Sequence, residues 1–241
     1  MSTTSYRIDS PRERTKDNYP LSNQLSVDRD ATTEDEEYLF KEMGLQYRFK
    51  SVPKNSFLYL CKDQMKNLYI LKEGYVLLGY YSECGREVFS SILSEGDVFG
   101  SFGVQQAGSN EFARTLTKAS FVVINNWNLS NIKNFNTPFV VNIFNQLARR
   151  TSDLENKFLS LAYKDARTRV IEFIKQLAMN FGYRNGEKIV IEKFLTHQDI
   201  AKLTNVSRQF ATSMMSKLKS DGVISYNRKL IVINGDLDLL D

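Results

Sequence analysis

Between residues 196 and 217 the chain carries side chains suited to reading base edges and gripping phosphates. Thr196-His197-Gln198-Asp199-Ile200-Ala201 leads to Thr204-Asn205-Val206, and Ser207-Arg208-Gln209-Phe210-Ala211-Thr212-Ser213 follows at once. In a major groove Arg bonds guanine and Gln bonds adenine, each through paired hydrogen bonds. Ser, Thr and His add short donors and acceptors, and Lys217 adds a point charge for a phosphate. Within residues 200–230 the bases Lys202, Arg208, Lys217, Lys219, Arg228 and Lys229 stand against one acid, Asp221. That imbalance is the electrostatic footprint of a surface that follows a phosphate backbone, whereas an ordinary solvated helix face mixes both signs. The candidate nucleic-acid contacts are Thr196, His197, Ser207, Arg208, Gln209, Thr212, Ser213 and Lys217.

Other chemistry has little to stand on. One His and two Cys in 241 residues leave little room for a His-built metal site or a His-based catalytic triad. His197 and Asp199 are two apart, so on a helix they do not face each other. No nucleophile-base-orienter set assembles, so no catalytic residue, metal or cofactor is expected, and the chain is not read as an enzyme. An iron–sulfur cluster needs about four thiolates, against Cys61 and Cys84 alone. Those two are read as buried structural thiols, or as a thiol switch between strands. Haem ligation by His would require His197, whose plainer role is a phosphate contact or a helix-surface position.

These side chains must be positioned by an α+β fold. Residues 1–37 hold nine acids against five bases and almost no large aliphatics, and are expected to be a mobile acidic tail. A short helix is expected over residues 34–43, closed by Gly44. From Leu45 to Trp127, short apolar runs alternate with turns: residues 57–60, 68–71, 74–81, 86–93 and 98–100, with corners at Ser82-Glu83-Cys84-Gly85 and Gly96-Asp97. Strands at such close spacing predict an antiparallel barrel or jelly roll. Thr137-Pro138 opens a helix. Along it Val140, Phe144, Leu147, Thr151, Leu154, Phe158 and Leu161 are spaced 4, 3, 4, 3, 4, 3, the heptad repeat that supercoils one helix on another. Self-association as a homodimer through this seam is expected; the plainer use of such a face is packing on the chain's own barrel. Ala166–Phe181 predicts a further helix and residues 189–191 a brief strand. Thr196 and Asp199 form a near capping box, Asn205 suits a left-handed turn, and Ser207 caps a second short helix that stops at Asp221-Gly222. A hairpin over residues 223–233 completes a winged helix-turn-helix. The apolar side that locks its helices is Ala201, Leu203, Val206, Ala211, Met214, Met215 and Leu218.

The absence of an 18-residue apolar run, a mean hydropathy of -0.36 and the lack of an apolar stretch in residues 1–10 point to a cytoplasmic protein without a membrane partner.

The run from Thr196 to Gln209 resembles the helix-turn-helix of the Crp/Fnr superfamily of bacterial transcription regulators. Gly96-Asp97-Val98-Phe99-Gly100, and Glu73-Gly74 before a strand, are similar to that family's cyclic-nucleotide-binding-type barrel. The resemblance spans roughly residues 38–235 and orders the chain as tail (1–37), sensor-like barrel (38–136), dimerisation helix (137–163) and winged helix-turn-helix (164–241). It places the base-reading positions on Arg208, Gln209 and Ser213. Gln209 stands where the family usually has Glu, so docking geometry carries over more safely than the half-site. Family members that bind cyclic AMP hold its ribose with a Glu after the second barrel glycine, here Ser101, and its phosphate with an Arg-Ser pair, here near Asn110-Glu111. An acid there repels a phosphate. Arg114 is either a displaced phosphate ligand or a strand-edge surface residue. The candidate effector pocket is thus Gly96, Gly100, Ser101, Asn110, Glu111 and Arg114, degenerate and not cyclic-AMP-dependent. An apolar or small-molecule effector, or none, remains open. The resemblance implies a dimeric, sequence-specific regulator whose partners are two-fold symmetric double-stranded DNA, a second copy of the chain and RNA polymerase. The alternative is a nucleotide- or small-molecule-binding module acting on a partner protein.

Overall fold

A computed structural model describes residues 40, 45–60, 66–102, 110–125 and 138–235. The expected acidic tail, the Thr137 cap, Cys61 and nearly all of the helix over residues 34–43 lie outside them. The chain divides into two units. One holds the barrel, the long helix and the helix-turn-helix through residue 217; the other holds residues 171–193 and 218–235.

In the first unit, eight strands form two antiparallel sheets. Sheet one runs β1(Tyr47–Val52), β8(Ala119–Ile124), β3(Leu68–Glu73), β6(Val98–Gly100), and sheet two runs β2(Phe57–Tyr59), β7(Glu111–Thr115), β4(Val76–Tyr81), β5(Glu87–Leu93). Alternation sorts their side chains. Val76 and Leu78 of β4 and Ala113 of β7 join Tyr59, Tyr69, Leu93, Phe99 and Phe121 in the interior core. The opposite face of sheet two is also covered, with Leu77, Phe89 and Phe112 almost wholly buried. Gly79 serves that second face: a Cβ there would stand 2.5 Å from the Phe112 ring, so only glycine lets the ring cross the strand.

Helix α1(Pro138–Tyr163) packs its first two turns on the outer face of sheet one, where Val140 and Ile143 meet Leu68, Ile70, Val98, Val122 and Ile124. Further along, its polar side chains grip the β6 corner. Gln146 accepts from the Val98 N–H at 2.7 Å and donates to the Gly96 carbonyl at 2.9 Å. Arg149 pairs with the buried Asp97 at 2.6 Å, and Arg150 donates to the Val98 carbonyl.

Helix α2(Ala166–Phe181) runs from this unit into the second, its residues matching the expected span. The second unit is built on a four-stranded antiparallel sheet ordered β11(Ile224–Tyr226), β12(Leu230–Asn234), β10(Lys188–Glu192), β9(Gly182–Asn185). Ile189, Ile191, Ile224, Ile231 and Ile233 fill its buried face. The sequence predicts only a hairpin and a brief strand here; β9 is additional, paired to β10 from Gly182 to Asn185. At the wing tip Asn227 Oδ1 accepts from the Lys229 and Leu230 N–H groups, and Lys193 and Lys219 flank the Tyr226 ring at 4.8 and 5.0 Å. Among the described residues no helix is long and apolar enough to cross a membrane.

Candidate nucleic-acid interface and effector pocket

Helix α3(His197–Thr204) and helix α4(Arg208–Ser220) are joined by a turn that local chemistry fixes. Thr196 takes the Asp199 N–H on its hydroxyl at 3.1 Å, while the Asp199 carboxylate takes the Thr196 N–H at 2.9 Å, a complete capping box. Asn205 sits at φ 53°, ψ 52°, the left-handed geometry that Asn tolerates better than most residues, and ends α3. Ser207 then accepts from the Phe210 N–H at 3.1 Å and starts α4. Ile200, Ala201 and Leu203 are buried on α3 and Ala211, Met214 and Met215 on α4, with Val206 half-buried. His197 Nδ1 lies 3.2 Å from the Thr212 hydroxyl, a bridge from α3 to α4.

This packing leaves Arg208 exposed beside Gln209, Ser213 and Lys217, which follow at four-residue spacing, and Arg208, Gln209, Thr212 and Ser213 line an open depression. Of the eight sequence-derived contacts Arg208, Gln209, Ser213 and Lys217 and also Thr196 and Ser207 are exposed, while His197 and Thr212 are half-buried. Thr196 and Ser207 serve as caps, and His197 and Thr212 engage each other. Lys202, counted among the clustered bases, pairs with Glu87 at 2.6 Å and lies 4.9 Å from the Phe89 ring centroid. Arg169 carries no motif signal yet holds the turn, donating to the Thr204, Asn205 and Lys164 carbonyls at 3.0, 3.1 and 2.8 Å.

The effector-pocket candidates separate by strand parity. Glu111 sits on the interior face of β7 and accepts from the Tyr59 hydroxyl at 2.5 Å and the Tyr80 hydroxyl at 3.0 Å. Burial first, and the Glu111 carboxylate second, push both phenols up, Tyr80 to about 12. Arg114 points to the other face, where it pairs with Asp199 at 3.1 Å and lies 5.5 Å from the Phe89 ring centroid. That ion pair engages it on the face of β7 opposite Glu111. Gly100 has φ +96°, and a Cβ there would stand 2.6 Å from the Asn67 carbonyl, so its smallness serves strand packing. The Ser101 N–H bonds the Asn67 carbonyl at 2.9 Å, Gly96 turns the corner at φ +86°, and Asn110 is exposed with its carbonyl bonded to the Tyr81 N–H.

The long helix divides its seam. Val140 is buried against the barrel and Leu147 packs partly on it, so both are spent within the chain. Phe144, Thr151, Leu154, Phe158 and Leu161 remain exposed, with Phe158 70% accessible. Cys84 is an exposed free thiol in the β4–β5 turn, contrary to the expectation of a buried one.

An antiparallel barrel, a long helix and a winged helix-turn-helix that presents Arg and Gln from the start of its second helix define a DNA-binding transcription regulator. The Crp-like helix-turn-helix domain matches residues 168–239 and the cyclic nucleotide-binding domain matches residues 49–133. The chain belongs to the Crp/Fnr superfamily. It is 24% identical to the global nitrogen regulator of Synechococcus elongatus over 204 residues, 81% of this chain and 90% of that one. It is 26% identical over 188 residues to the cAMP-activated global transcriptional regulator CRP of Salmonella typhimurium, 76% of this chain and 88% of that one. Among solved structures, a CooA variant from Carboxydothermus hydrogenoformans aligns at TM-score 0.68 and 23% identity, over 94% of this chain and 96% of that one. The c-di-GMP-responsive global regulator CLP of Xanthomonas campestris aligns at 0.67 and 20% identity, over 84% and 100%. These proteins are described by different signals, so the shared fold does not set the effector.

Proposed function

We propose that the chain is a homodimeric, sequence-specific transcription regulator that binds a two-fold symmetric DNA site through α4 and does so without cyclic AMP. The exposed row Arg208, Gln209, Ser213 and Lys217, on a helix capped by Ser207 and led in by the Asn205 turn, carries the reading. Arg208 and Gln209 read base edges, Ser213 adds a short polar contact, and Lys217 binds a phosphate. The exposed α1 stripe Phe144, Leu154, Phe158 and Leu161 supplies the dimer seam. In this reading residues 38–136 are the sensor-like barrel, 137–163 the dimerisation helix and 164–241 the reading head. RNA polymerase is the further protein partner. The pocket is degenerate because Ser101 stands where the family's ribose-binding Glu would be, and Glu111 sets a carboxylate among phenols near where a phosphate would lie. The apo dimer therefore visits the DNA-competent arrangement unaided.

Selection of bound sequences from a random DNA pool, without nucleotide, tests this. An inverted repeat with half-sites about one helical turn, roughly 34 Å, apart is expected. No enrichment, or enrichment of one asymmetric site, contradicts it.

A further inference from the structure

Three parts of the first unit, the barrel, α1 and α3, converge on Phe89, whose ring is almost wholly buried on the outer face of sheet two. Lys202 of α3 stands 4.9 Å from the ring centroid and Arg114 of β7 stands 5.5 Å from it. Two cations against one ring repel each other unless each is neutralised. Here the neutralising acids are crossed. Arg114 of the barrel pairs with Asp199 of α3 at 3.1 Å, and Lys202 of α3 pairs with Glu87 of the barrel at 2.6 Å. Each side gives one acid and one base, so both pairs close only while α3 rests on β5 and β7. Phe194, just ahead of α3, adds an apolar clamp by stacking on Tyr75 with ring centroids 4.0 Å apart. From the other side Lys157 of α1 donates to the Phe89 carbonyl at 2.5 Å, so the long helix grips the residue that α3 sits on.

This contact leaves the reading face open. It consumes Asp199 and Lys202 on α3, whereas Arg208, Gln209, Ser213 and Lys217 on α4 stay exposed. Docking on the barrel therefore aims α4 rather than masking it. We propose that Phe89 and the crossed pairs Arg114–Asp199 and Lys202–Glu87 form a positioning latch that sets α4 against the α1 dimer helix, and so fixes the half-site spacing that the protein accepts. On the reading of the chain as a dimer on two-fold symmetric DNA, which this latch presupposes, spacing is the quantity such a device controls. One base pair more or less moves a half-site by about 3.4 Å along the duplex and turns it about the axis. Reading helices held against the barrel cannot follow that displacement, whereas released ones can. Release also dilutes the second half-site contact, because a loosely held module has a lower effective concentration at its site.

Titrations of the full-length protein on a single half-site, on the selected inverted repeat, and on repeats with one base pair more or less between half-sites test the latch. Wild type is expected to lose at least about tenfold in affinity on either altered spacer. Lys202→Glu sets two acids face to face. It should weaken binding to the selected repeat at least about tenfold more than binding to the half-site, and leave a spacer penalty under about threefold. Adding Glu87→Lys re-forms the pair with its charges exchanged and should restore the penalty. If Lys202→Glu does not fold, Glu87→Gln, at a side chain 25% exposed, is read in the same way. An unchanged spacer penalty in the broken variant, equal losses on half-site and repeat, or a charge exchange that restores nothing overturns the proposal. A wild type that selects no inverted repeat overturns the dimeric DNA-binding reading, and the latch with it.

Discussion

The guanidinium of Arg114 lies 3.1 Å from the Asp199 carboxylate, so a barrel strand holds the residue that completes the capping box of α3. Asp199 is thereby asked to do two things, cap a helix and anchor it to β7. Both groups are largely buried, with side-chain exposures of 22% and 11%, and a hydrogen bond between charged groups at such a depth is worth about 1.5–3 kcal/mol. Arg114→Ala should lower unfolding stability by about that much. In a double-mutant cycle with Asp199→Asn the two losses should fall short of additivity by about 1 kcal/mol. Additive losses in denaturant unfolding would show the pair to be energetically uncoupled.

At the DNA surface, Arg208→Ala should cost about 1–3 kcal/mol on the preferred site and relax one base position. Lys217→Ala should weaken all sequences alike and reduce the salt slope by about one. Fluorescence titrations on selected and random duplexes separate the two. Equal losses on both duplexes for Arg208→Ala would remove it from base reading.

For the α1 stripe, Leu154→Glu combined with Phe158→Glu places like charges where two copies would meet. Both side chains are half or more exposed in the single chain, so the fold should survive while association fails. Sedimentation is expected to shift from dimer to monomer; an unchanged dimer moves the interface elsewhere.

Tyr80 provides a pH signature. Its folded pKa of about 12 exceeds the ordinary 10.0, chiefly through burial and next through Glu111. The native state thus holds the phenol proton more tightly than the unfolded chain does. The associated stability is intact below pH 10 and is lost as pH rises from 10 to 12. Phenolate absorbance should show Tyr59 and Tyr80 titrating late in wild type and earlier in Glu111→Gln. An identical titration in both would uncouple Tyr80 from Glu111.

The helix-turn-helix was legible because its determinants are local: Thr196 and Asp199 are three residues apart, and Asn205 and Ser207 flank one turn. Strand parity was harder to use. Whether Arg114 faces in or out depends on register with β4, and its partner lies 85 residues away. Glu111 was readable as an acid, but its two tyrosines come from β2 and β4, 52 and 31 residues distant. Strand β9 is not legible because Gly182 reads as a helix stop and Tyr183-Arg184-Asn185 has no apolar alternation; pairing with β10 makes the segment a strand. The seam was periodic through Val140, yet sequence spacing cannot say that a helix gives its first turns to its own barrel.

The most direct test is a DNA titration of the full-length protein on its selected inverted repeat, with and without cyclic AMP, alongside calorimetry of the nucleotide alone. The expected result is tight binding to the repeat, an affinity unchanged by cyclic AMP, and no heat of nucleotide binding. Micromolar cyclic AMP binding coupled to a tenfold or greater gain in DNA affinity, about 1.4 kcal/mol, would contradict it.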